Sequence, residues 1–311
     1  IILNRVRKTA ETKRTLKQIL NHEEVAGYVF ILPFIIGFMV FLFYPMVMSL
    51  VYSFTRYNIL KTPVFIGLDN YITMFTQDDL FWQVLMVTVK YVLFGVPLRL
   101  IMALIVAMLL VKNTKLSGFY RAVYYLPSII GSSVAVAILW KRIWASDGVI
   151  NALLALIGLP SKTVWLGKEE TAIWVLIVLA VWQFGSSMLI FLSGLKQVPI
   201  SLYEAATVDG ATGITKFFKI TLPMLTPTIF FNLINQLISG FMAFTQSYII
   251  TEGKPKNSTL FYAVYMYQNA FTNEKLGYSC AMAWFMILFI GLLTLILFKS
   301  QKYWVYYESE G

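Results

Sequence analysis

The sequence predicts an all-α membrane protein with about six transmembrane helices and a short polar helix between the fourth and the fifth. Of its 311 residues, 59% are hydrophobic and 13% are charged, whereas a soluble domain is roughly half apolar. The mean hydropathy is +0.72. Several charge-poor windows reach the about 20 residues that a helix needs to cross a bilayer. The connections between them lack the two-residue alternation that predicts strands.

The chain divides into a charged N-terminal segment (1–24), one membrane domain (25–299) that contains a polar loop (196–223), and a short tail (300–311). No small-residue cleavage site follows the first apolar stretch, so this stretch is predicted to be an anchor and not a signal peptide. The predicted spans are, in order, 25–55, about 84–111, 122–140, 171–195, 220–251 and 276–298.

Two segments outside the spans, 67–71 and 147–159, are predicted to form short helices at the membrane interface. Either they only cover the outer side of the bundle, or they also offer a docking surface. The connections that contain them show no strand pattern sufficient for a folded receptor domain. These connections are therefore not expected to bind a ligand by themselves.

Basic residues lie at the borders of the spans and predict the orientation of the chain. They are more numerous on the side of the N-terminus, which by the positive-inside rule places both termini and the loop 196–223 in the cytoplasm. The net charge of +10 follows the span ends, and no basic-aromatic stripe accompanies it, so nucleic acid is not an expected partner. Most of the bias comes from Arg5, Arg7, Lys8, Lys13, Arg14 and Lys17.

The polar loop has the local signals of a short helix. Ser201 is a good N-cap, and Glu204 follows three residues later as in a capping box. Gly210 supplies the left-handed residue that ends many helices. These signals predict a helix over 201–209 and a second helical run from 212 toward 223.

The same loop resembles the signature loop of bacterial ABC importer permeases. The matching pattern is Glu204-Ala205-Ala206, then Gly210, then Ile220-x-Leu222-Pro223. Asp209, Ala211 and Phe217 resemble the carbohydrate branch of that family, the maltose and glycerol-phosphate permease type. The stretches 67–71, 121–127 and 148–153 fit the same branch, and the resemblance covers roughly residues 28–299.

The resemblance implies the membrane-spanning permease subunit of an ATP-driven, binding-protein-dependent sugar importer in a bacterial plasma (inner) membrane. Its expected partners are the lipid bilayer, a second homologous permease subunit, two ATP-binding subunits and an extracytoplasmic solute-binding protein. The sequence has no Gly-x-x-x-x-Gly-Lys-Ser/Thr phosphate loop. The chain is therefore expected to be no enzyme and to bind no cofactor or metal, with ATP and Mg on the ATPase subunits.

The resemblance also implies that the loop couples the permease to its ATPase subunits. The expected transport mechanism is alternating access. Glu204 would meet a basic group of the ATPase, or it would only cap its own helix, an effect of about 1 kcal/mol. The positions assigned to ATPase coupling are Tyr203, Glu204, Ala205, Ala206, Asp209, Gly210, Leu222 and Pro223.

Polar residues within the fourth and fifth spans are the candidates for a substrate path, because polar side chains at mid-span usually face protein or water. Neutral amides and hydroxyls beside an aromatic ring suit a polyhydroxylated sugar, although they also suit contacts between helices. The candidates are Trp182, Gln183 and Ser186 on the fourth span and Asn232, Asn235, Gln236 and Ser239 on the fifth, where helical spacing adds Gln246 to the same face.

Two cations, Lys90 and Arg99, interrupt the second span. Snorkelling or pairing at a subunit interface is the favoured role for each. If either cation faces the path, an acidic sugar becomes more plausible as the substrate. Otherwise a neutral oligosaccharide is the favoured substrate. No acidic residue lies at the core of a span, which argues against an ion-coupled secondary carrier. No catalytic cluster supports a membrane enzyme. A permease for a non-sugar solute stays open.

Overall fold

The computed structural model describes residues 23–112, 115–160 and 162–306. Most of the predicted N-terminal segment 1–24, with its basic residues, and the last five positions of the tail 300–311 lie outside the described residues. Within them the only strands are β1 (Thr55–Arg56) and β2 (Val64–Phe65), which pair antiparallel. All other regular structure is helical, so the predicted all-α class is confirmed.

The described part of the chain folds into a bundle of long helices joined by short ones. π-helical turns join α1 to α2 (Met39–Phe43) and α11 to α12 (Phe217–Thr221). The α-helices are α1 (Glu23–Phe38), α2 (Tyr44–Ser53), α3 (Asp69–Thr76), α4 (Asp79–Leu110), α5 (Ser117–Ile130), α6 (Val134–Ile143), α7 (Val149–Leu156), α8 (Glu169–Trp182), α9 (Gly185–Gln197), α10 (Ile200–Val208), α11 (Gly213–Lys216), α12 (Leu222–Phe241), α13 (Tyr262–Tyr267) and α14 (Leu276–Trp304).

Four described helices are long and apolar enough to cross a membrane, and the number reaches six when each of two bent pairs counts as one span. The bent pairs are α5 with α6, which meet at 98°, and α8 with α9, which meet at 44°. They correspond to the predicted third and fourth spans, which the sequence pattern alone makes continuous. The four spans formed by single helices are Phe30–Ser53, Asp79–Leu110, Gly213–Phe241 and Leu276–Trp304.

The two bends are built against each other. The side-chain Nε2 of Gln183, at the break between α8 and α9, donates to the carbonyl oxygen of Gly131, at the break between α5 and α6, at 2.9 Å. A Cβ added to Gly185 would lie 2.3 Å from the carbonyl oxygen of Tyr124. The backbones thus approach so closely that only glycine fits at this position, a contact between segments that the apolar pattern does not record.

The predicted boundaries of the fifth span, 220–251, are wrong at both ends. The helix runs without interruption from Gly213 to Phe241. Pro223 does not end this helix. The π-helical turn before α12 closes with a bond from Leu222 N to the Phe217 oxygen. Pro223 follows at the start of α12, where the missing N–H of a proline is tolerated. Beyond Phe241 the chain turns, and a separate π-helical turn covers Ser247–Thr251.

Helix α4 is the centre of the bundle and packs against α8, α9 and α12. Ala103 and Ala107 on its inner face are fully buried, and such small side chains let neighbouring helices approach closely. The span Phe30–Ser53 is peripheral, since its apolar window has 0% of residues buried. It is held at one end, where Trp284 Nε1 of α14 donates to Ser49 Oγ at 3.1 Å.

The predicted interfacial segment 147–159 contains α7, whereas the segment 67–71 covers only the start of α3, which runs on to Thr76. Each of the two helices is held by one buried asparagine. Asn70 Nδ2 donates to the carbonyl oxygens of Ser53 at 2.8 Å and Thr55 at 2.9 Å. Asn151 Nδ2 donates to those of Ser146 and Thr163, both at 2.9 Å. These bonds give both asparagines a structural role that does not require a docking partner.

Candidate coupling loop and translocation path

Helix α10, in the polar loop, starts differently from the prediction. Its N-cap is Pro199 and it has no side-chain cap, so the predicted capping box of Ser201 and Glu204 is wrong. Pro199 has no N–H, and an acidic side chain therefore has no donor to bond at this N-cap. The interpretation that Glu204 only caps its own helix loses its physical basis.

The other end of α10 confirms the prediction for Gly210, whose φ is +73°. Ala211 N donates to the Ala206 oxygen at 2.8 Å and Gly210 N donates to the Thr207 oxygen at 3.1 Å. These two bonds form a Schellman motif, which terminates the helix by local geometry. Asp209 is the C-cap residue and is exposed.

Helix α10 is an exposed surface at one end of the bundle, with no buried residue. Two of its large apolar side chains are mostly exposed, Ile200 at 72% and Val208 at 89%. Glu204 is exposed and has no hydrogen-bond or ion-pair partner among the described residues. Ala205 is exposed and Ala206 half-buried. A carboxylate beside apolar and small side chains makes a surface suited to a protein partner.

Side-chain bonds fix α10 to the start of the following span. The hydroxyl groups of Tyr203 and Thr221 are 2.8 Å apart, and Lys216 Nζ donates to Thr207 Oγ1 at 2.7 Å. Leu222 and Pro223 lie at the start of α12 and are half-buried, so they lie within the span and not on the exposed surface. The loop and the span therefore form one connected unit.

A polar cavity of about 160 Å³ lies between α4, the α8–α9 break and α12. It brings together three of the predicted path residues, Gln183, Gln236 and Ser239. Gln246 also lines it, although it lies beyond the end of α12 and so does not share a helical face with the others. Gln236 Nε2 donates to Ser187 Oγ at 3.0 Å, which ties α12 to α9.

The other four predicted path residues are not among those that line this cavity. Trp182 packs against Trp140, with ring centroids 5.7 Å apart. The Ser186 N donates to Ser128 Oγ at 3.0 Å, as expected of a contact between helices. Asn235 Nδ2 bonds the Phe231 oxygen of its own helix, and Asn232 is fully buried, with neither side-chain polar atom paired among the described residues.

Three residues that were not predicted to border the path also line the cavity, namely Tyr91, Gly95 and Arg99. Their four-residue spacing could have indicated this, because positions four residues apart on a helix share a face. Arg99 Nε is buried without a hydrogen-bond partner among the described residues. Lys90 is exposed and does not line the cavity, so the two cations of the second span occupy different environments.

The end of the bundle opposite α10 carries a wide polar cup of about 1020 Å³. Asp78 Oδ2 in its wall accepts from Tyr265 at 2.7 Å and from Tyr278 at 2.5 Å. At the same end Lys256 Nζ pairs with Glu169 at 2.9 Å, and the hydrogen bond to that carboxylate raises the pKa of the Lys256 ammonium. The cup is lined by side chains of both charges, Arg56, Lys61, Asp69, Asp78, Glu274 and Lys275 among them.

A helical bundle with several membrane spans, a polar cavity among them and an exposed helix at one end defines a multi-pass membrane transport component. Residues 100–305 match the model of the family described as "Binding-protein-dependent transport system inner membrane component". The chain belongs to this family. It is therefore the permease subunit of an ABC importer, a multi-pass inner membrane protein, and the ATPase activity of such a system resides in other subunits.

Curated relatives and solved structures agree with this assignment. The "Probable ABC transporter permease protein YesP" of Bacillus subtilis (strain 168) is 55% identical over 94% of this chain and 95% of its own length. The "Lactose transport system permease protein LacF" of Rhizobium radiobacter is 34% identical over 91% and 96%. A chain of a bacterial alginate ABC transporter, solved in complex with alginate pentasaccharide-bound periplasmic protein, has the same fold, with a TM-score of 0.73, 24% identity and coverage of 93% and 97%.

Proposed function

We propose that this chain forms half of the translocation path of an ATP-driven sugar importer and is driven through its Glu204-Ala205-Ala206 loop. The observation that carries the proposal is one uninterrupted helix, Gly213–Phe241. At one end Thr221 bonds Tyr203 of α10, and farther along Gln236 and Ser239 line the polar cavity. Thr221 and Gln236 are about 22 Å apart along this helix at 1.5 Å per residue.

The mechanism is alternating access. ATP-driven closure of two ATPase subunits displaces α10, and the Tyr203–Thr221 bond transmits the displacement to the span that borders the cavity. Ala205 and Ala206 let α10 sit deep in a cleft of the ATPase, and Glu204 meets a basic group there. Pro227, inside α12, removes a backbone donor and leaves the span able to bend. ATP and Mg belong to the ATPase subunits.

The loop 196–223 and both termini lie in the cytoplasm in this proposal, because the motor needs cytoplasmic ATP. The opposite end then faces outward, and its charged cup provides the surface for an extracytoplasmic solute-binding protein. A second homologous permease subunit completes the path. The periplasmic protein in the solved alginate ABC transporter complex supports this arrangement of partners.

A sugar is the proposed solute because amide and hydroxyl groups line the cavity and no carboxylate does. Neutral amides donate to and accept from sugar hydroxyls, and the lactose system relative supports the same class. An ion-coupled carrier would place an acidic group on its path. Within the superfamily, a permease for a non-sugar solute is the competing function, and it would use the same loop with a different cavity lining.

The test compares Glu204→Gln with Glu170→Gln, an exposed acidic position at the start of α8. The complete importer, with its ATPase and solute-binding subunits, is reconstituted in proteoliposomes, and sugar uptake and ATP hydrolysis are measured together. A charge-assisted contact is worth about 1.5–3 kcal/mol, so Glu204→Gln should reduce both rates about tenfold or more. Glu170→Gln should leave them unchanged. Uptake by Glu204→Gln at the wild-type rate would refute ionic docking at this loop.

A further inference from the structure

We propose that the cavity between α4, the α8–α9 break and α12 binds a sugar that carries a carboxylate, and that Arg99 is the group that binds it. This inference rests on the proposed function as a sugar permease and specifies its substrate class. The relevant contrast is between acidic saccharides, such as uronate oligomers, and their neutral counterparts.

Arg99 has no anionic partner among the described residues, although a cation in a membrane span usually has one. Its Nε is buried and unpaired, and it takes part in none of the ion pairs among the described residues. No Asp or Glu is among the residues that line the cavity. Arg99 as a whole is half-buried, yet a cation within a membrane span is costly unless it is paired, and an anionic ligand would supply that pair.

The other groups around Arg99 are those that a sugar ring needs. The amides of Gln183, Gln236 and Gln246 line the same cavity and can bond sugar hydroxyls in either direction. Tyr91 also lines the cavity, and its buried ring packs against Phe261 with centroids 4.4 Å apart. A guanidinium bonds a carboxylate through two parallel hydrogen bonds. The cavity therefore provides one anion-binding group within a neutral hydrogen-bonding lining.

Lys90 provides a natural comparison on the same helix. It carries the same charge, but it is exposed on the chain and does not line the cavity. If Arg99 served only assembly or lipid contact, its substitution, like that of Lys90, should leave the preference between acidic and neutral sugars unchanged. If Arg99 recognises substrate, only its substitution should change the preference between acidic and neutral sugars.

The experiment uses the complete importer in proteoliposomes with trisaccharides of glucuronate, galacturonate, mannuronate and guluronate. Each is paired with its carboxyl-reduced form, in which the carboxylate is a primary alcohol. Wild type, Arg99→Gln, Arg99→Lys and Lys90→Gln are compared. Size-exclusion chromatography of each purified complex shows whether it assembles.

Wild type is expected to take up at least one acidic trisaccharide in preference to its reduced form. Arg99→Gln should lower that acidic uptake about tenfold, as loss of a bidentate ionic contact does, while neutral uptake changes less than about twofold. The acidic uptake of Arg99→Lys should lie between those of wild type and Arg99→Gln, because a lysine keeps the charge without the planar guanidinium. Lys90→Gln should keep the wild-type preference.

Other results would overturn the inference. If only neutral sugars are taken up, and Arg99→Gln transports them as well as wild type does, the proposed sugar importer stands. Recognition of a carboxylate by Arg99 is then refuted. Arg99→Gln could also fail to assemble while Arg99→Lys assembles normally. That result would mean that Arg99 pairs with an anionic side chain of the second permease subunit and not with the substrate. Uptake of no trisaccharide from either series would also overturn the inference, and the proposed function itself would fail only if the importer transported no other sugar.

Discussion

The coupling loop and the cavity contrast in how they are built. Helix α10 is held by neighbours in sequence, with Pro199 at its start and Gly210 in the Schellman motif at its end. The cavity combines α4, the break after Trp182 and α12, which are distant in sequence. Local geometry therefore forms the proposed coupling surface, whereas close packing between spans forms the proposed solute site. Substitutions should affect the two regions by different mechanisms and to different extents.

The largest effect is expected where the two bent spans touch. A Cβ at Gly185 would lie 2.3 Å from the Tyr124 oxygen, whereas Gly291 in α14 has nothing within 4 Å. Gly185→Ala should destabilise the protein by about 2 kcal/mol or more through overpacking. Gly291→Ala should be neutral or stabilising by up to about 1 kcal/mol. Thermal unfolding in detergent measures both, and equal midpoints would show that the bends are not tightly interlocked.

An intermediate effect is expected at the bond that joins the two regions. Tyr203→Phe removes the hydrogen bond to Thr221, worth about 1 kcal/mol, and should lower the sugar transported per ATP hydrolysed up to about fivefold. The fold should survive, because the ring stays in place. Tyr44→Phe, at an exposed position of α2, is the control. An unchanged transport ratio in Tyr203→Phe would mean that movement reaches the cavity by another contact.

The smallest effect is expected at Ser201. The sequence pattern makes it an N-cap, and losing such a cap costs about 0.5–2 kcal/mol. In the structure the N-cap is Pro199 and Ser201 is exposed within the first turn. Ser201→Ala should therefore change the unfolding free energy by less than about 0.5 kcal/mol and leave uptake unaffected. A decrease of more than about 1 kcal/mol in the unfolding free energy would support the predicted capping box instead.

The success and failure of the sequence predictions follow the same division. Apolar length indicated the six spans, and Gly210 marked the end of α10, because these features depend on consecutive residues. The predicted fifth span runs past Phe241 because the chain carries no charge through Thr251, and Gly240 by itself does not mark the turn that follows it. Arg99 was assigned to an interface or to snorkelling because its surroundings come from three other segments.

The sequence by itself determined the membrane class, the short exposed helix of the loop and the family resemblance. Each rests on hydrophobic length, backbone freedom at one residue or a fixed spacing, which are properties of adjacent positions. Only the tertiary structure decided which polar residues share a cavity, and that Arg99 belongs with Gln183 and Gln236 while Asn235 and Ser186 bond elsewhere. Periodicity gives the face of a helix, but the neighbour of that face depends on how bent spans pack.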